Sequence, residues 1–179
     1  MKKILLCLSA AVLLLSCNSK TESTTATSPD STGATTAATD LPYQASYSSR
    51  WSTDVADADL KMVLTTYKDW ADGNMTNLGN SIADSISVDF SSGDHFNGKK
   101  DSLIKIWGTY RDSLSSVAID MQGWQKMYAT DKKEGYIVTW YKETDIYKTG
   151  KVDSAYFHDI NQVKDGKINW YSQYKRPAK

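Results

Sequence analysis

The chain has 179 residues, 21 basic against 21 acidic side chains, and 40% hydrophobic residues. This balance leaves no basic stripe, which argues against nucleic acid as a partner. The six tryptophans and eleven tyrosines stand out more than the charge does.

Lys2 and Lys3 open the chain as a positive region, and Ile4 to Leu15 follows as an apolar stretch. That run is too short to cross a bilayer but has the length of a signal-peptide core. It ends in Leu14-Leu15-Ser16-Cys17, which resembles the bacterial lipobox. The resemblance implies diacylglyceryl transfer to the Cys17 sulfur, cleavage after Ser16 and acylation of the new terminus. Residues 1–16 are therefore expected to be a lipoprotein signal peptide, with the mature chain held to a membrane by lipid. Asn18 stands where an aspartate would resemble an inner-membrane retention signal, so the expected address is the outer membrane, facing the periplasm. Cys7 would be discarded with the signal, which leaves the mature domain no free thiol, disulfide or thiolate metal site.

Residues 17–46 comprise the lipidated cysteine and a Ser/Thr/Ala-rich linker with almost no large apolar side chain. Such a segment cannot bury enough surface to offset its ordering entropy, so disorder is expected. A flexible coil of roughly 27 residues spans about 30 Å, enough to hold a domain off a membrane. Residues 47–179 are the right size for one domain with its own core.

In that domain, Leu60, Val63, Leu64, Tyr67, Trp70 and Ala71 recur at helical spacing, with Ser52 or Thr53 as N-cap and Gly73 as stop. Met75, Leu78 and Ile82 mark a short second helix. Ile86, Val88 and Phe90 alternate into the Ser91-Ser92-Gly93 turn, and His95-Phe96 reads as a short return strand. Leu103, Ile106, Trp107, Tyr110 and Leu114 form the stripe of a third helix. From Val117 onward the period changes to two, giving four long strands joined by turns, of which Asp165-Gly166 is a strong hairpin signal. Helices segregated from strands indicate an α+β fold.

This order resembles the NTF2-like superfamily, which includes SnoaL-like proteins and ketosteroid isomerase. Tyr67-Lys68-Asp69-Trp70-Ala71-Asp72-Gly73-Asn74 looks like that family's first helix and the turn after it. Phe96-Asn97-Gly98-Lys99-Lys100 is similar to its F-x-G-K entry to the third helix, and Lys164-Asp165-Gly166-Lys167-Ile168 to its D-G-K-I hairpin. The resemblance implies a cone: three helices of the N-terminal half packed on a strongly curved antiparallel sheet around a hydrophobic pocket. It does not imply one function, because the fold hosts enzymes and non-catalytic binders alike.

The aromatic set supplies the candidate ligand-binding residues: Tyr67, Trp107, Tyr110, Trp140, Tyr156, His158 and Trp170. Rings on a concave face suit a small apolar or aromatic ligand, with hydroxyl and indole groups as polar handles. If the strand rings line that face, Trp107 looks across at Trp140, Tyr156, His158 and Trp170. The plain alternative is that the rings fill the cone. Tyr141, Phe157 and Tyr171 lie on the other face of the same strands, so both faces are expected to be covered, one by helices and one by a second subunit. Alternation alone leaves open which face is inside.

His158 is the weak catalytic candidate, since dehydratase-like members of the fold use a histidine with an aspartate. Its neighbour Asp159 points to the opposite face, so the adjacent pair is not a dyad. Glu143 and Asp145 read as solvent-side residues near a hairpin end, and no acid among Asp84, Asp89, Asp120 and Asp159 falls in a catalytic motif. His95 reads as an exposed turn residue. Two isolated histidines point away from a transition-metal site, and no cofactor is expected. Three readings remain: a small-ligand-binding lipoprotein, which is preferred; an isomerase- or dehydratase-type enzyme with His158 or an aspartate as base; and an interaction module of the cell envelope.

Overall fold

The structure is a computed structural model that describes residues 41–178. The signal peptide, Cys17 and most of the linker expected from the sequence lie outside the described residues. No described helix is long and apolar enough to cross a membrane.

Two residues, Trp51–Ser52 (β1), pair with the far end of a later strand before the first helix begins. That helix, α1, is Asp57–Asp72. It starts after Ala56 without a side-chain cap, so neither Ser52 nor Thr53 serves as N-cap. The sheet edge has claimed Ser52, and Asp57 and Asp59 in the first turn face the positive end of the helix dipole instead. Gly73 ends α1 as expected, with φ of 73°, a conformation that costs glycine little. Asn74 then caps α2 (Met75–Asn80), its side chain accepting from the Asn77 amide at 3.2 Å. Ile82 does not belong to α2. It opens β2 (Ile82–Asp89), which folds back on β3 (His95–Lys99).

α3 spans Lys100–Arg111, and Leu114 lies beyond it, at the start of β4 (Leu114–Ala129). Arg111 donates from Nε and an Nη to the Trp70 and Ala71 carbonyls, both at 2.9 Å. It thereby satisfies the open end of α1 and fixes α3 against it. The remaining strands are β5 (Glu134–Tyr147), β6 (Val152–Lys164) and β7 (Lys167–Pro177). The β6–β7 turn has φ of 52° at Asp165 and 69° at Gly166, as a two-residue hairpin requires.

The strands form one seven-stranded sheet in the order β1-β4-β5-β6-β7-β2-β3. It is antiparallel except where β2 runs parallel to β7 and returns the first half of the domain to the sheet. A register shift between Met121 and Gly123 breaks the long β4–β5 ladder opposite Trp140. Such an irregularity bends a strand and increases its twist. The core lies between the helices and one face of this curved sheet, around Val63, Ile86, Val88, Leu103 and Ile137, all of them essentially inaccessible.

Candidate functional site

Strand alternation divides the long strands into two sets, and the contacts of Tyr67 identify the inner one. From α1, the Tyr67 hydroxyl reaches Thr139 Oγ1 at 2.7 Å and Asp159 Oδ2 at 3.0 Å, and it accepts from Asn161 Nδ2 at 3.2 Å. The helix side of the sheet therefore carries Thr139, Tyr141, Glu143 and Asp145 on β5, Phe157, Asp159 and Asn161 on β6, and Tyr171 and Gln173 on β7. Trp140, Tyr156, His158 and Trp170 occupy the opposite face.

Asp159 is fully buried and lies at the centre of this inner set. Its Oδ2 accepts from the hydroxyls of Tyr67, Tyr141 and Tyr171 at 3.0, 2.9 and 3.0 Å. Gln173 Nε2 donates in turn to the Tyr171 oxygen at 2.6 Å, and Asn161 is held by the Ile137 carbonyl at 3.2 Å. Asp159 Oδ1 has no partner among the described residues. Burial pushes the Asp159 carboxyl up to about 7, against the pull of the phenols that solvate its charged form. Burial also raises all three phenols well above the usual tyrosine range, with the carboxylate adding to the effect. They stay protonated and act as donors. With three donated protons converging on Oδ2, the carboxyl's own proton belongs on Oδ1. The site then holds a neutral acid that can give a hydrogen bond at Oδ1, or accept one there after ionising.

A second pair of acids lies farther along β5. Glu143 and Asp145 are 8% and 7% exposed, which overturns the expectation that they face solvent. The reason is the length of β5: it keeps its alternation through Tyr147, so both residues share the face of Tyr141 and lie beneath the helices. Burial, then the neighbouring Asp145 and Asp159, raises Glu143 to about 8. Asp145 is raised by burial as well, although the Tyr110 hydroxyl donates to its Oδ2 at 2.9 Å. Its Oδ1 is unpartnered among the described residues. Trp70 and Tyr110 stack in parallel, 6.1 Å apart.

The seven aromatic and histidine candidates are not brought together. Tyr67, Trp107 and Tyr110 lie on the inner side, where Trp107 meets the Tyr171 ring edge-on at 6.1 Å. Trp107 does not look across at Trp140, Tyr156, His158 and Trp170, because the sheet lies between them. His158 is stacked between rings, 5.1 Å from Trp140 and 5.9 Å from Tyr174. Trp170 donates its indole N–H to Asp89 at 3.0 Å, and the Arg176 guanidinium lies 4.7 Å above Tyr156. His95 is exposed and pairs with Asp89 at 2.7 Å. Among the described residues no cluster of histidine, cysteine or acid side chains could hold a metal ion.

In the sequence, Asp159 counts only as an acid outside any catalytic motif and Tyr141 and Tyr171 only as rings of the other face, and neither Asn161 nor Gln173 is singled out. The available signal was parity: Asp159 shares a strand face with Phe157, and Tyr141 and Tyr171 lie on that same face. Trp140 is 38% exposed, so Trp140→Ala is expected to cost about 1 kcal/mol, well below the 3–5 kcal/mol of a packed ring. Urea denaturation of the two proteins checks this.

No family model matches the sequence, and no curated protein does either. Solved structures do resemble it. An NTF2-like protein from Anabaena variabilis superposes with a TM-score of 0.53 at 15% identity, covering 71% of this chain and 96% of the other. The domain has the NTF2-like fold. A ketosteroid isomerase-like protein from Erwinia carotovora atroseptica gives a TM-score of 0.56 at 12% identity, covering 68% and 96%. An LEH-like epoxide hydrolase from M. tuberculosis gives 0.57 at 8%, covering 67% and 84%. At these identities the likeness establishes the NTF2-like architecture alone, and function has to be argued from the site.

Proposed function

We propose that the chain is a membrane-anchored lipoprotein whose NTF2-like domain binds a small ligand on the inner side of the cone, beside Asp159. The observation that carries this reading is the unshared Oδ1 of a fully buried carboxyl whose other oxygen is saturated by three phenols. A buried polar network left one partner short is costly unless a further group completes it. Trp107, Phe157 and Tyr171 pack against the core on this same side, so the ligand combines an aromatic or aliphatic body with a carbonyl or hydroxyl that meets Oδ1. Native mass spectrometry of the protein from its own envelope tests this: a retained small-molecule mass is expected, and its loss in Asp159→Leu. A ligand-free protein under conditions that preserve the fold would overturn the reading.

One observation favours a second reading, an acid–base enzyme of isomerase type. A buried carboxyl that titrates near neutrality has the property of a general base, and the three phenols that donate to its Oδ2 hold it in place. In this reading the base is Asp159 and not His158, whose neighbours are the rings of Trp140 and Tyr174.

The anchor is proposed on the lipobox at Cys17 and the outer-membrane address on Asn18. Cys17→Ser is expected to abolish labelling by fatty acid and move the chain to the soluble fraction. Unchanged membrane fractionation would contradict it. A homodimer through the sheet would bring a second copy onto the outer ring row of Trp140, His158 and Tyr174.

A further inference from the structure

The outer face of the sheet holds a groove of about 570 Å³, separated from Asp159 by the sheet itself. Its size suits a small molecule. Trp51 and Tyr47 stand at one side, 41% and 44% exposed, and Trp170 stands at the other. Met127, Val138 and Ile160 form an apolar floor. The wall that residues 47–51 supply is pinned in advance. Ser48 Oγ donates to Asp131 Oδ1 at 2.6 Å and accepts the Arg50 amide at 3.0 Å, while the Trp51 indole donates to the Ser48 carbonyl at 3.0 Å.

The polar groups of the groove are committed to one another. Glu134 accepts from the hydroxyls of Tyr47 and Tyr136, the latter at 2.7 Å. Gln162 Nε2 donates to Tyr136 at 3.0 Å, and Asn169 Nδ2 donates to Gln162 Oε1 at 2.8 Å. The Trp51 and Trp170 indoles are spent on Ser48 and Asp89. What remains for an occupant is ring faces, a thioether and aliphatic carbon, with one carboxylate in the wall. The two phenols hold that carboxylate below the usual glutamate range, so it stays charged at neutral pH. Ring faces also favour positive charge, and the Lys132 ammonium, 5.7 Å from the Tyr47 ring centre, does not line the groove.

We infer that this groove is a second ligand site, built for a flat apolar molecule that carries no negative charge. Surface rings attract such a body by stacking, and the Glu134 carboxylate repels an acid of the same shape. The site is independent of the one proposed beside Asp159.

The test uses the mature chain from residue 17 as Cys17→Ser, made without residues 1–16 so that neither the apolar signal core nor detergent competes, with two fluorescent probes of similar shape. 1-Aminoanthracene, neutral at pH 7, is expected to bind with enhanced emission, and the anionic 1-anilinonaphthalene-8-sulfonate to bind poorly. Trp51→Ala should weaken the neutral probe about tenfold, the worth of one good ring contact. Glu134→Gln should admit the anionic probe, and Asp159→Asn should leave both affinities unchanged. Three results would each overturn the inference. The first is neutral-probe affinity indifferent to Trp51→Ala. The second is loss of binding in Asp159→Asn, which would place the probe inside the cone. The third is a wild-type dimer in sedimentation that Trp51→Ala dissociates, which would make the groove a subunit contact.

Discussion

Asp159→Asn is expected to flatten the dependence of folding stability on pH between about 4 and 7. The folded carboxyl keeps its proton up to about pH 7, whereas the ordinary aspartate releases it near 3.8. Below the lower value both states hold the proton, and the group's full contribution to stability is present. As the pH rises, the unfolded chain ionises first, so stability is lost progressively until the folded carboxyl ionises as well. For a fully buried group this amounts to at most roughly 4 kcal/mol across the window. Glu143 acts with the same sign between 4.5 and about 8. The wild-type domain should therefore melt at a higher temperature at pH 5 than at pH 8. In Asp159→Asn, which cannot ionise there, the difference should shrink to the part Glu143 and Asp145 supply. Thermal melts followed by circular dichroism across this range check it.

Tyr67→Phe is the second large effect. Its hydroxyl bonds Thr139, Asp159 and Asn161, all of them buried; without it Thr139 Oγ1 loses its partner, while Asp159 keeps two phenols and Asn161 keeps the Ile137 carbonyl. A buried polar group left without its partner costs about 1–3 kcal/mol, and about 2 kcal/mol is expected here. The Tyr67 bond also stabilises the charged form of Asp159, so its loss should move the Asp159 titration upward. Tyr110→Phe serves as the comparison. That hydroxyl is bonded to Asp145 and Tyr147; Tyr110 is 42% exposed but Asp145 only 7%, so losing this one donor to a buried carboxyl should cost about 1 kcal/mol, less than Tyr67→Phe. Guanidinium titrations of the three proteins separate these outcomes.

Much of the fold is legible in the residues because the signals are local. The stripe from Leu60 to Trp70, the Gly73 stop and the Asp165-Gly166 turn each need only their own neighbours to specify a conformation. Elements that depend on distant partners are not readable in this way. The two-residue β1 exists because β4 is long enough to meet it, and the parallel β2–β7 contact joins segments far apart in the chain. Ile82 and Leu114 each fit a helical stripe as well as a strand end, and only the sheet decides between the two.

The site was harder to read for a related reason. Alternation groups Trp140 with His158 and Tyr141 with Asp159, but it carries no sign telling which group meets the helices. Indoles such as Trp140 and Trp170 are conspicuous in the sequence on either face, while the inner face is marked by tyrosines and acids whose meaning depends on burial. Glu143 and Asp145 look like surface residues in any window that does not include the full length of β5. Tyr67 is the exception. Its place on the buried stripe of the first helix marks it in the sequence, and its hydroxyl bonds Thr139, Asp159 and Asn161 at the centre of the cone.

The protonation of Asp159 is the point on which the inner site turns, and it can be measured directly. The carbon-13 shift of the Asp159 side-chain carboxyl, assigned by its disappearance in Asp159→Asn, should be followed from pH 3 to pH 9. A midpoint of about 7 is predicted, displaced by a ligand that bonds Oδ1. A midpoint at or below the ordinary aspartate value of 3.8 would contradict it. The buried carboxyl would then be a fixed anion held by its three phenols, with no proton to offer a ligand or a reaction.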